Sequence, residues 1–525
     1  MTLSLDQDKQ VSINQKLLAS DPVVDVDEAS TDASEKSLGL FSPKVDPPPS
    51  TWTLFKNFIK LAIPIIVTNM LSYMSNLTLV FFSGRMEDPI NVAVVGLAVS
   101  CSAIMMLSFL IGLNVGQESL TSQAFGAENY RLTGLYLNRG FLILLAFSIP
   151  LSVLPMAFAE PLFNALGQDE EVSRLTGELL RLLVPSVLFQ GLFDLWKRWL
   201  ACQRLTCVPM TLMVVGSVFH IILCLFCVEK FDLGITGLAY ATIAKDGILY
   251  VAIVIYTRCS PQVKWILQPI DGDAFRDWGN YLRVSLPSTA MLCSEWWAFE
   301  VIFILAGILG VLELGALSIC LNVHSLLYRL PLGVTEATSA LIGNSIGAEN
   351  VRLAYRFAAI DFAFGGFCIM LQASTLIFGR DVIVNWFTED EALAEMTETL
   401  MVVQGFVHFF NTLQCICHGP IRALCLQKFA SWIAFACNWP VGLPLAAIFA
   451  FKLDYGIFGL MAGFGVSSLL ECVFFTILLK RKDWNEVAKQ SAERRKQESE
   501  NLKNQQKQST DDSTAVLESY ERAIN

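Results

Sequence analysis

The amino-acid sequence predicts an all-α integral membrane protein of about twelve transmembrane helices, arranged as two parallel six-helix lobes with pseudo-twofold symmetry. Three observations predict it. Of the 525 residues, 54% are hydrophobic and only 16% are charged, against about a quarter charged in an ordinary soluble domain. Apolar runs of roughly the twenty residues that cross a bilayer recur from Leu54 to Leu479. The chain also says nearly the same thing twice. Gly126-Ala127-Glu128-Asn129 returns as Gly347-Ala348-Glu349-Asn350, and Asp232-Leu233-Gly234-Ile235 as Asp454-Tyr455-Gly456-Ile457. Pro64 and Gly84 match Pro287 and Gly307. These separations hold nearly constant at about 220 residues, as a duplicated unit requires.

The elements follow in order. Residues 1–50 are rich in Asp, Ser and Pro and are expected to form a disordered tail. They carry no basic stretch followed by an apolar one, so no cleaved signal is expected. The first lobe, 51–258, holds spans 56–83, 91–115, 132–158, 176–196, 206–228 and 235–257. A loop at 259–278 leads to the second lobe, 279–482, with spans 279–308, 313–341, 353–379, 397–419, 428–451 and 457–479. Six spans per copy is an even number, so both copies share one orientation. Residues 483–525 are expected to be a polar, solvated tail, with a polar helix near 485–507.

Charge sets the topology. Acidic residues gather in the tails and around Asp169-Glu170-Glu171 and Glu389-Asp390-Glu391. Basic residues collect on the side of the termini, at Lys197, Arg198, Arg204, Arg258, Lys264, Arg276, Arg352, Arg356, Arg422, Lys428 and Lys480-Arg481-Lys482. That asymmetry places both termini in the cytoplasm. A net charge of −11 offers no footprint for nucleic acid. All fourteen Cys fall between Cys101 and Cys472, mostly within spans, and read as small hydrophobes. Cys415-Ile416-Cys417-His418 has the look of a metal motif but no second ligand pair, so no metal is expected. Asn76-Leu77-Thr78 matches a glycosylation sequon inside a span, out of enzymatic reach.

Polar side chains inside hydrocarbon are costly unless they meet a partner or a water-filled cavity. Asn69, Ser72 and Asn76 share one face of span 1, and Asn322, Arg329 and Glu336 recur every seven residues in span 8. Gln404, His408, Asn411, Cys415 and His418 form a stripe in span 10. Helix–helix hydrogen bonding is one reading of each. Aligned stripes in counterpart regions of two copies favour a central cavity instead. The sharpest constellation is Glu295-Trp296-Trp297-Ala298-Phe299-Glu300 in span 7. A carboxylate supplies charge for a cation, and aromatic faces add cation–π attraction. Glu295 and Glu300 are five residues apart, roughly 140° around an ideal helix, so one faces a cavity and the other a neighbouring helix.

The same segments resemble the multidrug and toxic-compound extrusion (MATE) family, in its eukaryotic branch, from about Leu54 to Leu479. Leu120-Thr121-Ser122-Gln123-Ala124-Phe125-Gly126-Ala127 is similar to the family's loop after span 2, and Ile342-Gly343-Asn344-Ser345-Ile346-Gly347-Ala348 to its counterpart after span 8. Met291-Leu292-Cys293-Ser294-Glu295-Trp296-Trp297-Ala298-Phe299-Glu300 resembles the span 7 segment of animal and plant members, and Gly442-Leu443-Pro444-Leu445 matches in span 11. The resemblance implies two lobes around a central cavity and efflux of organic cations or other toxic compounds in exchange for protons. It implies Glu295 as the coupling acid and Glu300 as second. Animal members often carry acids in spans 8 and 10, where this chain has Asn322 and Asn411, leaving Glu295, Glu300 and Glu336 as the residual acids; Arg329 stands where an apolar residue is usual and is expected to pair with Glu336 or another acid.

The function expected is therefore a non-enzymatic, proton-coupled antiporter, a monomer in the lipid bilayer using a proton gradient and no cofactor, with sodium coupling left open. Trp296, Trp297, Glu336 and Arg329 join Glu295 and Glu300 as substrate or coupling residues. The plasma membrane and a vacuolar or vesicular membrane are equally open. The alternatives are a lipid-linked oligosaccharide flippase of related fold, for which Arg329 is the one clear basic candidate in the central spans, and an exporter of anionic or neutral metabolites. A major-facilitator fold lacks its basic loop here, and neither an enzyme's nucleophile or metal cluster nor a channel filter is evident.

Overall fold

Twelve long helices cross-pack in the computed structural model, which describes residues 49–86, 88, 90–165 and 169–524. They are α1 (Thr51–Ser83), α2 (Ile90–Gly126), α3 (Tyr130–Ala165), α4 (Glu170–Cys202), α5 (Cys207–Lys230) and α6 (Gly234–Cys259) in the first half. The second half holds α7 (Trp278–Leu309), α8 (Val311–Gly347), α9 (Val351–Phe378), α10 (Glu391–Ala423), α11 (Gln427–Lys452) and α12 (Gly456–Arg481). A further helix, α13 (Trp484–Ile524), follows. No strand occurs among the described residues. Helices satisfy every backbone hydrogen bond internally, which a chain in hydrocarbon must do. All but the last two residues of the tail expected at 1–50 lie outside the described residues.

The helices outrun the hydropathy spans. α2 continues past 115 through Glu118 and Gln123, and α8 past 341 through Asn344, all of them buried. Hydropathy stops where polar residues begin, but these polar residues are satisfied by other helices rather than by water.

Duplication is visible in the packing. α1 lies on α5 as α7 lies on α11; α3 on α4 as α9 on α10; α4 on α6 as α10 on α12. The halves meet where α1 touches α8, α2 touches α7, and α2 crosses α8. The backbone repeats too. Left-handed residues fall in pairs: Glu128 with Glu349, Arg204 with Cys425, Asp232 with Asp454, and Gly234 with Gly456. Each half keeps its own apolar core, around Trp199, Leu195 and Leu249 in the first and Leu317, Met401 and Leu460 in the second.

α1 begins, and α12 ends, on what is here termed the terminal face. In the repeated turns on this face the left-handed residues are Glu128 and Glu349, at φ 59° and 55°, and not Gly126 and Gly347. The glycines are needed because α2 and α8 touch there: a Cβ on Gly126 would collide with the Asn344 carbonyl, and one on Gly347 with the Gln123 carbonyl. The expected solvated tail is instead docked. Trp484, Ala488, Ser491, Arg495, Glu498 and Leu502 are buried along one stripe of α13, with steps of three and four residues. Its first turn is capped by Asp483, which accepts the Asn485 N–H at 2.9 Å; that bond holds the carboxyl below its usual range. The count of loop cations also shrinks, because Lys197, Arg198 and Arg422 are buried within helices.

Candidate functional site

Four helices bring a buried ion cluster together between the halves. Arg198 and Lys197 sit near the end of α4, one turn past Asp194. The Arg198 guanidinium donates to Glu118 of α2, to Asp194 at 2.8 Å and to Glu336 of α8 at 3.1 Å. Lys197 reaches Asp194 at 2.9 Å, Glu336 at 3.4 Å and the Asn69 carbonyl oxygen of α1 at 3.0 Å. Asn69 in turn donates to Glu336, and Asn114 to Asp194. Three carboxylates therefore share two cations with every side chain buried. Such a cluster contributes little net stability against an apolar replacement, but loss of one charge from it is expensive. It ties Glu336 of the second half to α1, α2 and α4 of the first.

Nearer mid-membrane, the same two helices meet again. Tyr73 donates to the Asn322 carbonyl oxygen at 3.3 Å, and the Arg329 guanidinium lies 4.9 Å from the Tyr73 ring centre. The seven-residue stripe of α8 thus faces α1 throughout, as its spacing implies. The expected pairing of Arg329 with an acid is not formed: Glu336 is taken by Lys197 and Arg198, and a buried Arg329 Nε has no hydrogen-bond partner. Ser72 spends its hydroxyl on the Thr68 carbonyl of its own helix, and Asn76 is half-buried one turn further on.

The span 7 carboxylates part company, as the five-residue spacing requires. Glu295 turns into the second half, where Gln414 donates to it at 2.9 Å and His418 Nε2 lies 3.2 Å away. Glu471 of α12 is close enough for the two carboxylates to interact, and accepts the Asn438 amide at 2.8 Å. Tyr328 of α8 and Arg422 of α10 are among the charged and titratable groups around Glu295 and His418. Glu300 faces the other way, toward Cys101 of α2. Trp297 donates to the Ile104 carbonyl at 3.3 Å and packs on Phe109. Ile104 lies in a π-turn, Ala103–Leu107, which frees carbonyls for such bonds. Trp296 is half-buried beside it.

Gln404 and His408 do not line an open space. Both are fully buried, His408 bonding His324 at 2.9 Å and Gln372 at 3.2 Å, and Gln404 bonding His324 at 2.9 Å. Here helix–helix hydrogen bonding is the structural outcome. Asn411 lies on the same helix between this network and Gln414, and is 9% exposed. Sequence reasoning missed Glu118, Asp194 and Glu471 and counted Lys197 and Arg198 as loop charges. A signal was present: a Lys-Arg pair three and four residues after an Asp is an intrahelical pairing pattern.

The inter-half hydrogen bonds and ion pairs among the described residues all lie at or on the terminal side of Tyr73–Asn322 and Trp297–Ile104. Among them, Asn344 donates to the Cys202 carbonyl, Gln123 to that of Ala423 and Gln427 to Ser119. Polar bonds close the terminal face, and among the described residues none joins the halves on the opposite side.

The family profile MatE matches residues 64–226 and 287–448, one match in each half and more than half the chain together. The chain is 28% identical over 467 residues to multidrug and toxin extrusion protein 1 of Danio rerio, covering 89% of this chain and 79% of the relative. It is 28% identical over 442 residues to protein DETOXIFICATION 16 of Arabidopsis thaliana, covering 84% and 90%. The crystal structure of the eukaryotic MATE transporter AtDTX14 superposes with a TM-score of 0.82 at 25% identity, covering 85% of this chain and all of that one. A MOP-superfamily transporter of Pyrococcus furiosus shares the fold, with a TM-score of 0.74 at 17% identity over 83% of this chain and 96% of that one. With the duplicated twelve-helix fold, the paired half-matches and relatives in both animals and plants agreeing, the chain belongs to the MATE family of multidrug and toxin extrusion transporters, in its eukaryotic branch.

Proposed function

We propose that this transporter exports organic cations in exchange for protons by alternating access, with its terminal face in the cytoplasm. The observation that carries the reading is the Glu295–His418–Gln414 arrangement within the second half, with His418 and Gln414 buried. A carboxylate with an imidazole 3.2 Å away is a unit that takes up and gives back a proton, and protonation removes the negative charge that attracts a cation. A proton arriving from the far side thus competes with the substrate, and its release toward the cytoplasm restores the site. His418 and Glu471 supply ionisable groups in this half, where Asn322 and Asn411 stand in place of the acids common in animal members. Glu300, half-buried on the face toward α2, is the second acid of this reading. The protein acts as a monomer and needs no bound cofactor.

The test is tetraethylammonium uptake into proteoliposomes under an imposed pH gradient. Glu295→Gln is expected to abolish gradient-driven uptake at normal yield and monodispersity; uptake equal to that of the unaltered protein overturns the assignment. Glu300→Gln is expected to be milder.

One observation favours a second substrate class. The buried, unpartnered Nε of Arg329, over Tyr73 and two helical turns from the exposed Asn322, suits an anionic group. Uptake of an anionic flavonoid glycoside that fails in Arg329→Met, with no tetraethylammonium transport in either protein, selects that reading.

A further inference from the structure

We infer that α13 is a strap across the terminal face that must let go of the first half before that face can open. The inference rests on alternation between two faces and not on which substrate is carried.

The strap is attached at one end to the second half. It continues directly from α12 through Lys482 and Asp483, and its first residue, Trp484, stacks on Tyr355 of α9 with ring centres 4.3 Å apart. From there it runs over the junction of α2 and α8. Arg495 donates to the Gly347 carbonyl at 3.1 Å, at the end of α8, and its other nitrogen holds Ser491 at 2.6 Å. Ser491 and Arg494 both donate to the Gln123 side-chain oxygen of α2, at 2.5 and 2.6 Å. One helical turn thus grips the ends of two helices that belong to different halves.

Beyond that point the hydrogen bonds and ion pairs of α13 to other elements, among the described residues, are with the first half, while Asn280, Arg283 and Val284 of α7 line a cleft with Gln497, Glu498 and Asn501. Glu498 accepts from the Tyr136 hydroxyl and lies 3.7 Å from the Arg139 guanidinium, both on α3. Asn129, in the turn between α2 and α3, donates to Ser499 at 3.0 Å. Leu502 is buried in a cluster with Leu132, Leu135 and Tyr136 of α3 and with Tyr281 and Val284 of α7. Moving the two halves apart at this face must stretch one set of contacts or the other. The covalent link to α12 and the Trp484–Tyr355 stack hold the strap to the second half. The bonds around Gln123, Asn129, Tyr136 and Arg139 are therefore the ones that break. Those bonds include a buried carboxylate and a buried guanidinium, and buried polar groups are costly to leave unpaired. The strap consequently favours the closed state of this face, and its docking energy sets how often the face opens.

Two native thiols report on it. Cys425 lies beneath the strap, 3.9 Å from Arg494, and Cys202 lies fully buried below the α2–α8 crossing. In the first experiment Asn129→Cys and Ser499→Cys are bridged by a short cleavable thiosulfonate in the full chain, reconstituted in nanodiscs. Labelling of Cys202 by a hydrophilic maleimide is then followed by site-resolved mass spectrometry. The inference expects the bridged protein to label at Cys202 at least several-fold more slowly than the same protein after reductant. Equal rates with the bridge complete overturn it, and so does a Cys202 that never labels in either form.

The second experiment ends the chain after Lys482. Cys425 and Cys202 should both label several-fold faster than in the full chain. Faster labelling of Cys425 with Cys202 unchanged shows a cover that does not control opening and overturns the inference. If the shortened chain does not fold, Glu498→Ala with Leu502→Ala in the full chain takes its place, with the same two outcomes.

Discussion

Arg198 is the residue on which the inter-half contact turns, since one guanidinium serves Glu118, Asp194 and Glu336 on three helices. Replacing it by Gln leaves three buried carboxylates facing Lys197 alone. The expected cost is about 3–5 kcal/mol, the range for breaking a buried pair. Glu336→Gln leaves two acids for the two cations and is expected to cost less. Thermal unfolding in detergent checks both, and a midpoint for Arg198→Gln at or above that of Glu336→Gln contradicts the account. Glu295 differs in kind. Its partners, Gln414 and His418, lie on one neighbouring helix of its own half, so Glu295→Gln should spare the fold while removing transport. Together the variants test whether the residue that joins the halves is distinct from the one proposed to serve exchange.

Among elements, α2 and α8 are built for close approach. Gly112 and Gly116 bring α2 against Thr289 and Ser285 of α7, and Gly126 and Gly347 bring the ends of α2 and α8 into contact. Small residues four apart let helix backbones meet where lipid offers no hydrophobic drive. Gly126→Val and Gly347→Val are each expected to destabilise by about 1–3 kcal/mol or more, as overpacking does. The readout is the yield of folded protein at the membrane. The fraction that folds should bind substrate as before; full yield with altered affinity speaks against a packing role. The turn itself is set by Glu128 and Glu349, where the chain takes the left-handed conformation two residues later.

For the whole molecule, the distribution of polar bonds between the halves implies that water enters from the face opposite the termini. Asn322, exposed in mid-helix, lies on that side of the closed layer, and Cys202 lies behind it. Asn322→Cys is therefore expected to react with a membrane-impermeant maleimide added opposite the termini at least tenfold faster than native Cys202 reacts from the terminal side. Comparable rates would mean that the terminal face is open as often as it is closed.

The sequence by itself determined the twelve helices, the duplication and the family, because hydropathy over twenty residues and a repeated motif are local quantities that survive without tertiary context. It also placed Asn69 on a polar stripe of span 1 and Asn322, Arg329 and Glu336 on one of span 8, since helical period alone fixes which residues of a helix share a face. Tertiary structure decided the partners. Whether Gln404 and His408 line a cavity or tie helices together depends on His324 and Gln372, which come from other helices. Lys197 and Arg198 look like loop cations until α2 and α8 bring their carboxylates. The polar residues 483–502 look like a solvated tail until α2, α3 and α8 supply the groups that bury one stripe of them. In each case the missing information was a long-range pairing, and a polar side chain's role in a membrane protein is set by which partner removes its desolvation cost.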